Sequence, residues 1–221
     1  MIIIIAVAVV YIADITGIFT KPGLPEENTS RVLAAAEVRN YRGEKLSSVT
    51  DFRENSIKGP QHVNMSNYRL EIGGLVTSSQ SLTYEEVKAF PGYQKVVTLH
   101  CVEGWDTKIL WEGIKVNDLL KTAGVIPDAN TVIFYAYDGF STSLPLDYIE
   151  KNDILLAYGM NNVTLPEDRG YPFQLVAEDK WGYKWIKWVT KIELSNDPLY
   201  RGYWEQRGYS IGGDTGTSFF A

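Results

Sequence analysis

A single cysteine, Cys101, among 221 residues rules out an internal disulfide. The fold must then rest on a buried apolar core. With 45% hydrophobic residues the chain can build one, enough for a single domain of about 150 to 200 residues. The cysteine stands in Leu99-His100-Cys101-Val102-Glu103-Gly104-Trp105, where an apolar strand runs into a turn. It can be apolar filler, a reactive thiol or a ligand to a soft metal. A nucleophile needs a base within hydrogen-bond reach. The only histidines are His62 and His100, and His100, adjacent along a strand, points to the opposite face.

Tyr68 to Val76 alternates apolar with charged residues, the period of a half-buried strand ending at Gly73-Gly74. Thr83 with Glu86 three residues on forms a capping box, so Tyr84 to Phe90 is expected as a short helix stopped by Pro91. Tyr93 to Cys101 reads as a strand that delivers the cysteine at its end. Asn117 to Ala123 reads as a helix closed by Gly124. Thr131 to Tyr137 is expected as a strand turned back at Asp138-Gly139, and Ile154 to Tyr158, Phe173 to Ala177 and 186 to 194 as further strands. Short helices among many strands make a β-rich, mixed α+β domain.

Ile2 to Ala13 is unbroken apolar sequence, and Ile15 to Phe19 resumes it after Asp14. Eighteen helical residues span about 27 Å, the thickness of a bilayer core. Three readings stand for residues 1–19: a membrane anchor, a signal peptide lacking the usual basic start, or a buried Ile/Val-rich element. Residues 20–49 follow as linker and lead-in, with Pro22, Gly23 and Pro25 breaking any helix. The main domain is expected over 50–214, and 215–221 form a tail. A net charge of −6 argues against a nucleic-acid partner. Six Trp and fourteen Tyr suit a chain that lines a ligand pocket with aromatic rings.

Cys101-Val102-Glu103-Gly104-Trp105, followed by Trp111-Glu112-Gly113-Ile114, resembles the molybdenum-ligand segment of the sulfite oxidase family. Tyr68 to Val76, Val116 to Gly124, Gly170-Tyr171-Pro172-Phe173-Gln174-Leu175-Val176, Trp181 to Trp188 and Gly202 to Tyr209 are similar to that family's segments in the same order, so the resemblance covers roughly residues 50 to 214. It implies the sulfite oxidase molybdopterin fold, a Mo-molybdopterin cofactor with Cys101 as molybdenum ligand, and oxygen-atom transfer on a small substrate. The same likeness implies that Asn55 and Ser56, Asp138, Arg169, Gln174 and Gly182-Tyr183-Lys184 contact the cofactor, Lys184 supplying charge for its phosphate. By composition alone, Asn55 is a loop residue, Asp138-Gly139 a turn and Lys184 a solvated side chain. Glu103 either relays a proton near the metal or fixes the turn.

Sulfite-oxidising members of that family carry arginines where this chain has Glu54 and Asp106, and two carboxylates there would repel sulfite. Gln174 stands where Arg is usual, and Arg169 where Asn or His is usual. The Cys101 segment is locally similar to the catalytic subunits of periplasmic methionine-sulfoxide reductases. No haem motif occurs, so electrons are expected to pass to or from a separate partner, a membrane haem or quinone-linked protein, and the resemblance implies a place on the extracytoplasmic face of the membrane. The alternative is a catalytically inactive relative of this fold that serves as a tethered binding or assembly module.

Overall fold

The computed structural model describes residues 32, 33 and 35–221. The expected 1–19 element lies outside them. Among the described residues no helix is long and apolar enough to cross a membrane.

Residues 36–221 form one body. It begins with a small hairpin, β1 (Asn40–Tyr41) and β2 (Glu44–Lys45). Strands β3 (Leu70–Gly74) and β4 (Gln80–Leu82) follow, then helix α1 (Tyr84–Lys88). The Thr83–Glu86 box is complete: the Thr83 hydroxyl accepts the Glu86 amide, and the Glu86 carboxylate accepts the Thr83 amide. The helix ends at Lys88, two residues before the expected Phe90.

Strands β5 (Gly92–His100) and β6 (Asp106–Lys115) make a long antiparallel hairpin whose connecting loop is Cys101 to Trp105. β6 leads directly into helix α2 (Val116–Ala123), closed by Gly124 at φ 70°. Strands β7 (Thr131–Ala136) and β8 (Ser141–Pro145), helix α3 (Leu146–Lys151), and strands β9 (Leu155–Met160), β10 (Val163–Thr164), β11 (Gln174–Val176) and β12 (Val189–Ser195) complete the order.

Two five-stranded sheets result. One runs β10-β9-β6-β5 with β11 also paired to β9; the other runs β4-β3-β12-β7-β8. β12 lies parallel to β3 and antiparallel to β7, which puts Ile192 between Ile72 and Phe134. Ile72, Phe134, Ile192, Ile109, Leu110, Trp111 and Ile114 are buried, each contributing about 1.5–3 kcal/mol by leaving water. β6 reads as a core strand because its burial alternates at first and then becomes nearly continuous from Ile109.

The last strand starts later than its composition implies. Residues 186–188 lie outside β12, and Trp188 has φ 51°, which a strand cannot accommodate. Its backbone instead bonds Gly170 O and accepts from Tyr137 N. The segment ahead of β3 is packed as well: the Glu37 carboxylate accepts from Ser48 Oγ (2.5 Å), Val49 N (2.8 Å) and Asn161 Nδ2 (3.1 Å), with Leu46 and Val49 buried.

Candidate active site

Loops from both sheets converge on a cavity of about 380 Å³. The β5–β6 loop supplies Cys101, Val102, Glu103 and Trp105; the β7–β8 turn supplies Asp138 and Phe140; residues 52–57, 168–169, 182–183, 185–188 and the C-terminal Trp204 and Tyr209 close the walls. Cys101 sits at the head of its loop because its N–H donates to Trp105 O (2.9 Å) and its C=O accepts Gly104 N (3.1 Å). A parallel bridge between His100 and Trp181 brings the 3₁₀ turn Gly182–Lys184 against the same corner. Gly182 permits this approach: a Cβ there would stand 3.3 Å from His100 O and 3.6 Å from Cys101 Cα.

Three successive contacts clamp residues 52–55 over the cysteine loop. The Phe52 and Trp105 rings lie 5.9 Å apart, Arg53 pairs with Glu103 at 3.7 Å, and Asn55 Nδ2 donates to Cys101 Sγ at 3.5 Å. Burial pushes the Cys101 thiol above the usual thiol range, with the Glu103 backbone N–H and the Asn55 amide opposing it. In metal-free protein Cys101 is therefore protonated at neutral pH. Its alkylation should be slower at pH 7 than that of an exposed thiol and rise about tenfold per pH unit beyond the ordinary thiol range. Because the chain has one cysteine, the single-adduct mass shift reports this site alone. A rate that already levels off below pH 8 would contradict it.

Of the residues marked out by resemblance, Asn55, Ser56, Cys101, Glu103, Asp138, Arg169, Gln174, Gly182 and Tyr183 all line the cavity. Lys184 does not. Its side chain is fully buried behind the wall, 2.6 Å from Glu205 Oε1 and 2.9 Å from Ile211 O, so its charge is matched internally. Arg169 lines the cavity, yet its guanidinium donates to Val49 O (3.0 Å) and Phe52 O (2.8 Å) and stacks on the Phe52 ring at 4.0 Å. Those bonds hold the 49–55 segment in place. Asp138 Oδ1 accepts the Phe140 N–H (2.9 Å), fixing its turn. Asp106 is exposed beside His100 and does not reach the cavity, so the carboxylate expected there with Glu54 is absent from its wall.

Sequence reasoning missed Lys187, Trp204 and Tyr209 as cavity residues. Tyr209 packs on Tyr183 (5.0 Å) and Trp204 (5.1 Å), an aromatic wall that joins the Gly182–Lys184 turn to the C-terminal segment. Four tryptophans, Trp105, Trp185, Trp188 and Trp204, face the space. The residues present fit the metal-bearing cofactor that the resemblance implies: a thiol at the head of the cavity can ligate a metal, and Ser56 Oγ, buried without a protein partner, can hydrogen-bond a bound group.

The family model described as oxidoreductase molybdopterin binding domain matches residues 57–204. The Uncharacterized oxidoreductase YuiH of Bacillus subtilis is 35% identical over 156 residues, covering 70% of this chain and 78% of that protein. The protein-methionine-sulfoxide reductase catalytic subunit MsrP of Campylobacter jejuni is 27% identical over 165 residues, 67% of this chain and 55% of that protein. In fold, the chain is similar to the sulfane dehydrogenase SoxCD from Paracoccus pantotrophus, with a TM-score of 0.63 and 22% identity over 80% of this chain and 54% of that one. The chain thus spans just over half the length of the last two. Phe52 to Ser56 and Tyr209 lie outside the range of the family match.

Proposed function

Since this chain belongs to the family of oxidoreductase molybdopterin-binding domains, whose cofactor is Mo-molybdopterin, we propose that it catalyses oxygen-atom transfer on a small substrate, with Cys101 as protein ligand of the metal. The observation that carries this reading is the placement of the chain's one thiol at the head of an aromatic-walled cavity. When bound, the cofactor supplies two-electron oxygen-atom transfer. The protein's part is to hold, orient and screen.

Cys101 must lose its proton to ligate, and the Asn55 amide and Glu103 N–H already face the sulfur that would carry the charge. Ser56 Oγ, Gln174, Gly182 and Tyr183 would hold the organic part of the cofactor, while Asp138 shapes the turn beneath it. Arg169 acts one step back, by keeping Asn55 above the thiol. Glu103 is half-exposed, so a proton can pass along its carboxylate between solvent and the reacting centre. Phe52, Trp105, Trp185 and Trp188 limit the water around it.

Electrons would be exchanged with a separate partner, a membrane haem or quinone-linked protein. The apolar run at 1–19 supports an anchored domain, and the likeness to methionine-sulfoxide reductase catalytic subunits supports the extracytoplasmic face. The test is protein purified from a host that makes the cofactor: near-stoichiometric molybdenum and dye-linked turnover of a small sulfoxide are expected. Folded, colourless protein free of molybdenum and pterin would favour an inactive binding module instead.

A further inference from the structure

Residues 37–55 belong to neither five-stranded sheet. β1 and β2 pair only with each other, and in this stretch only Leu46 and Val49 bury apolar side chains. Polar contacts hold the segment to the body instead, in two groups. Away from the cavity, the fully buried Glu37 side chain accepts from Ser48 Oγ (2.5 Å) and Val49 N (2.8 Å) within the segment and from Asn161 Nδ2 (3.1 Å) in the body. Asn161 is a firm post: it also donates to Ser47 O (2.8 Å), and both its amide N–H and its Oδ1 bond Leu110 of β6. Beside the cavity, Arg169 donates to Val49 O and Phe52 O, Lys187 pairs with Glu54, Arg53 with Glu103, and Asn55 donates to Cys101 Sγ. The two groups meet at Val49, held through its N–H by Glu37 and through its C=O by Arg169.

We propose that residues 37–55 form a strap that opens separately from the two sheets and that Glu37 is its latch, a positioning residue that holds Asn55 over Cys101 without lining the cavity. A segment with little buried apolar area and polar pins at both ends can leave the body without unfolding it. Removing the Glu37 carboxylate strands Ser48 Oγ, Val49 N and one Asn161 hydrogen in a buried place, and opening relieves them by admitting water. Because Val49 is shared, that loss loosens the Arg169 contacts and with them residues 52–55. The same latch thus sets how easily the thiol is reached. Glutamine has the shape to replace it, accepting from Val49 N and Asn161 while donating to Ser48 Oγ. The consequence for metal retention rests on the reading of Cys101 as ligand; the opening itself does not.

The test uses the full-length metal-free chain, in which a single-adduct mass shift reports Cys101 alone. Its modification by a bulky maleimide is timed in wild type, Glu37→Ala, Glu37→Gln and Ile192→Ala, the last weakening the core of the second sheet away from the strap. Glu37→Ala should react at least about tenfold faster than wild type, while Glu37→Gln and Ile192→Ala stay within about threefold. Hydrogen exchange in Glu37→Ala should accelerate over residues 46–55 and not in β6, β7 or β12. If Glu37→Ala does not fold, Ser48→Ala removes one of the three donors and should give a smaller rise in the same direction; a wild-type rate there would overturn the proposal. So would no acceleration in Glu37→Ala, an equal one in Ile192→Ala, or Glu37→Gln reacting as fast as Glu37→Ala. In metal-loaded Glu37→Ala, molybdenum should be lost on dialysis at least about tenfold faster than from wild type. Protein that takes up no molybdenum would instead count against the catalytic reading and leave the strap comparison intact.

Discussion

Cys101→Ser is expected to lower turnover of the metal-loaded enzyme by on the order of a thousandfold or more, whereas Asn55→Ala, which removes only an outer contact to the same sulfur, should cost about 10–100-fold. The two effects differ because one substitution replaces the atom that holds the metal and the other only a donor 3.5 Å from it. Serine is nearly the size of cysteine, but its hydroxyl is far less acidic than a thiol and puts oxygen, or nothing, where the sulfur donor stood. Neither substitution touches the core strands. Metal-free Cys101→Ser should stay within about 1 kcal/mol of wild type in a denaturant melt. Equal losses in the two variants would mean that Cys101 is only part of the cavity wall.

The second large effect is on stability. Lys184→Met should destabilise the fold by about 3–5 kcal/mol, because it leaves the Glu205 carboxylate buried without its cation. Both side chains are fully buried, and Glu205 Oε2 already lacks a partner. Thr142 Oγ1 also donates to Glu205 Oε1 (2.7 Å), so the carboxylate ties β8 and the Gly182–Lys184 turn to the C-terminal segment carrying Trp204 and Tyr209. Adding Glu205→Gln should recover most of the loss, since a neutral amide can be buried and still accept from Thr142. The melting temperature checks both steps: a drop of roughly 10 °C in the single variant and substantial recovery in the double. A single variant that melts like wild type would contradict the pairing.

What the sequence made legible was local. The capping box at Thr83, the helix closing at Gly124 and the strand leading to Cys101 each depend on residues within a few positions of one another, and each stands in the structure, the strand ending one residue earlier, at His100. The order of motifs also brought the fold within reach, and nine of the residues that line the cavity. What stayed hidden depends on distance along the chain. Glu54 and Lys187 are 133 residues apart, and Lys184 and Glu205 are 21 apart. A lysine in an aromatic-rich segment gives no sign of which way its ammonium turns, so the resemblance assigns Lys184 to a phosphate and places Lys187 only within the same cofactor-binding stretch. β6 was not recognised because a strand buried on both faces loses the alternation that marks a half-buried one. The early start expected for β12 has a related cause: Trp185, Ile186 and Trp188 are apolar enough for a strand, but they are buried as walls of the cavity.

The central claim is a bond between the Cys101 sulfur and molybdenum. X-ray absorption at the molybdenum edge, compared between holoprotein and metal-loaded Cys101→Ser, tests it directly. One sulfur neighbour should disappear from the metal's coordination shell in the variant. An unchanged number of sulfur neighbours would contradict the account.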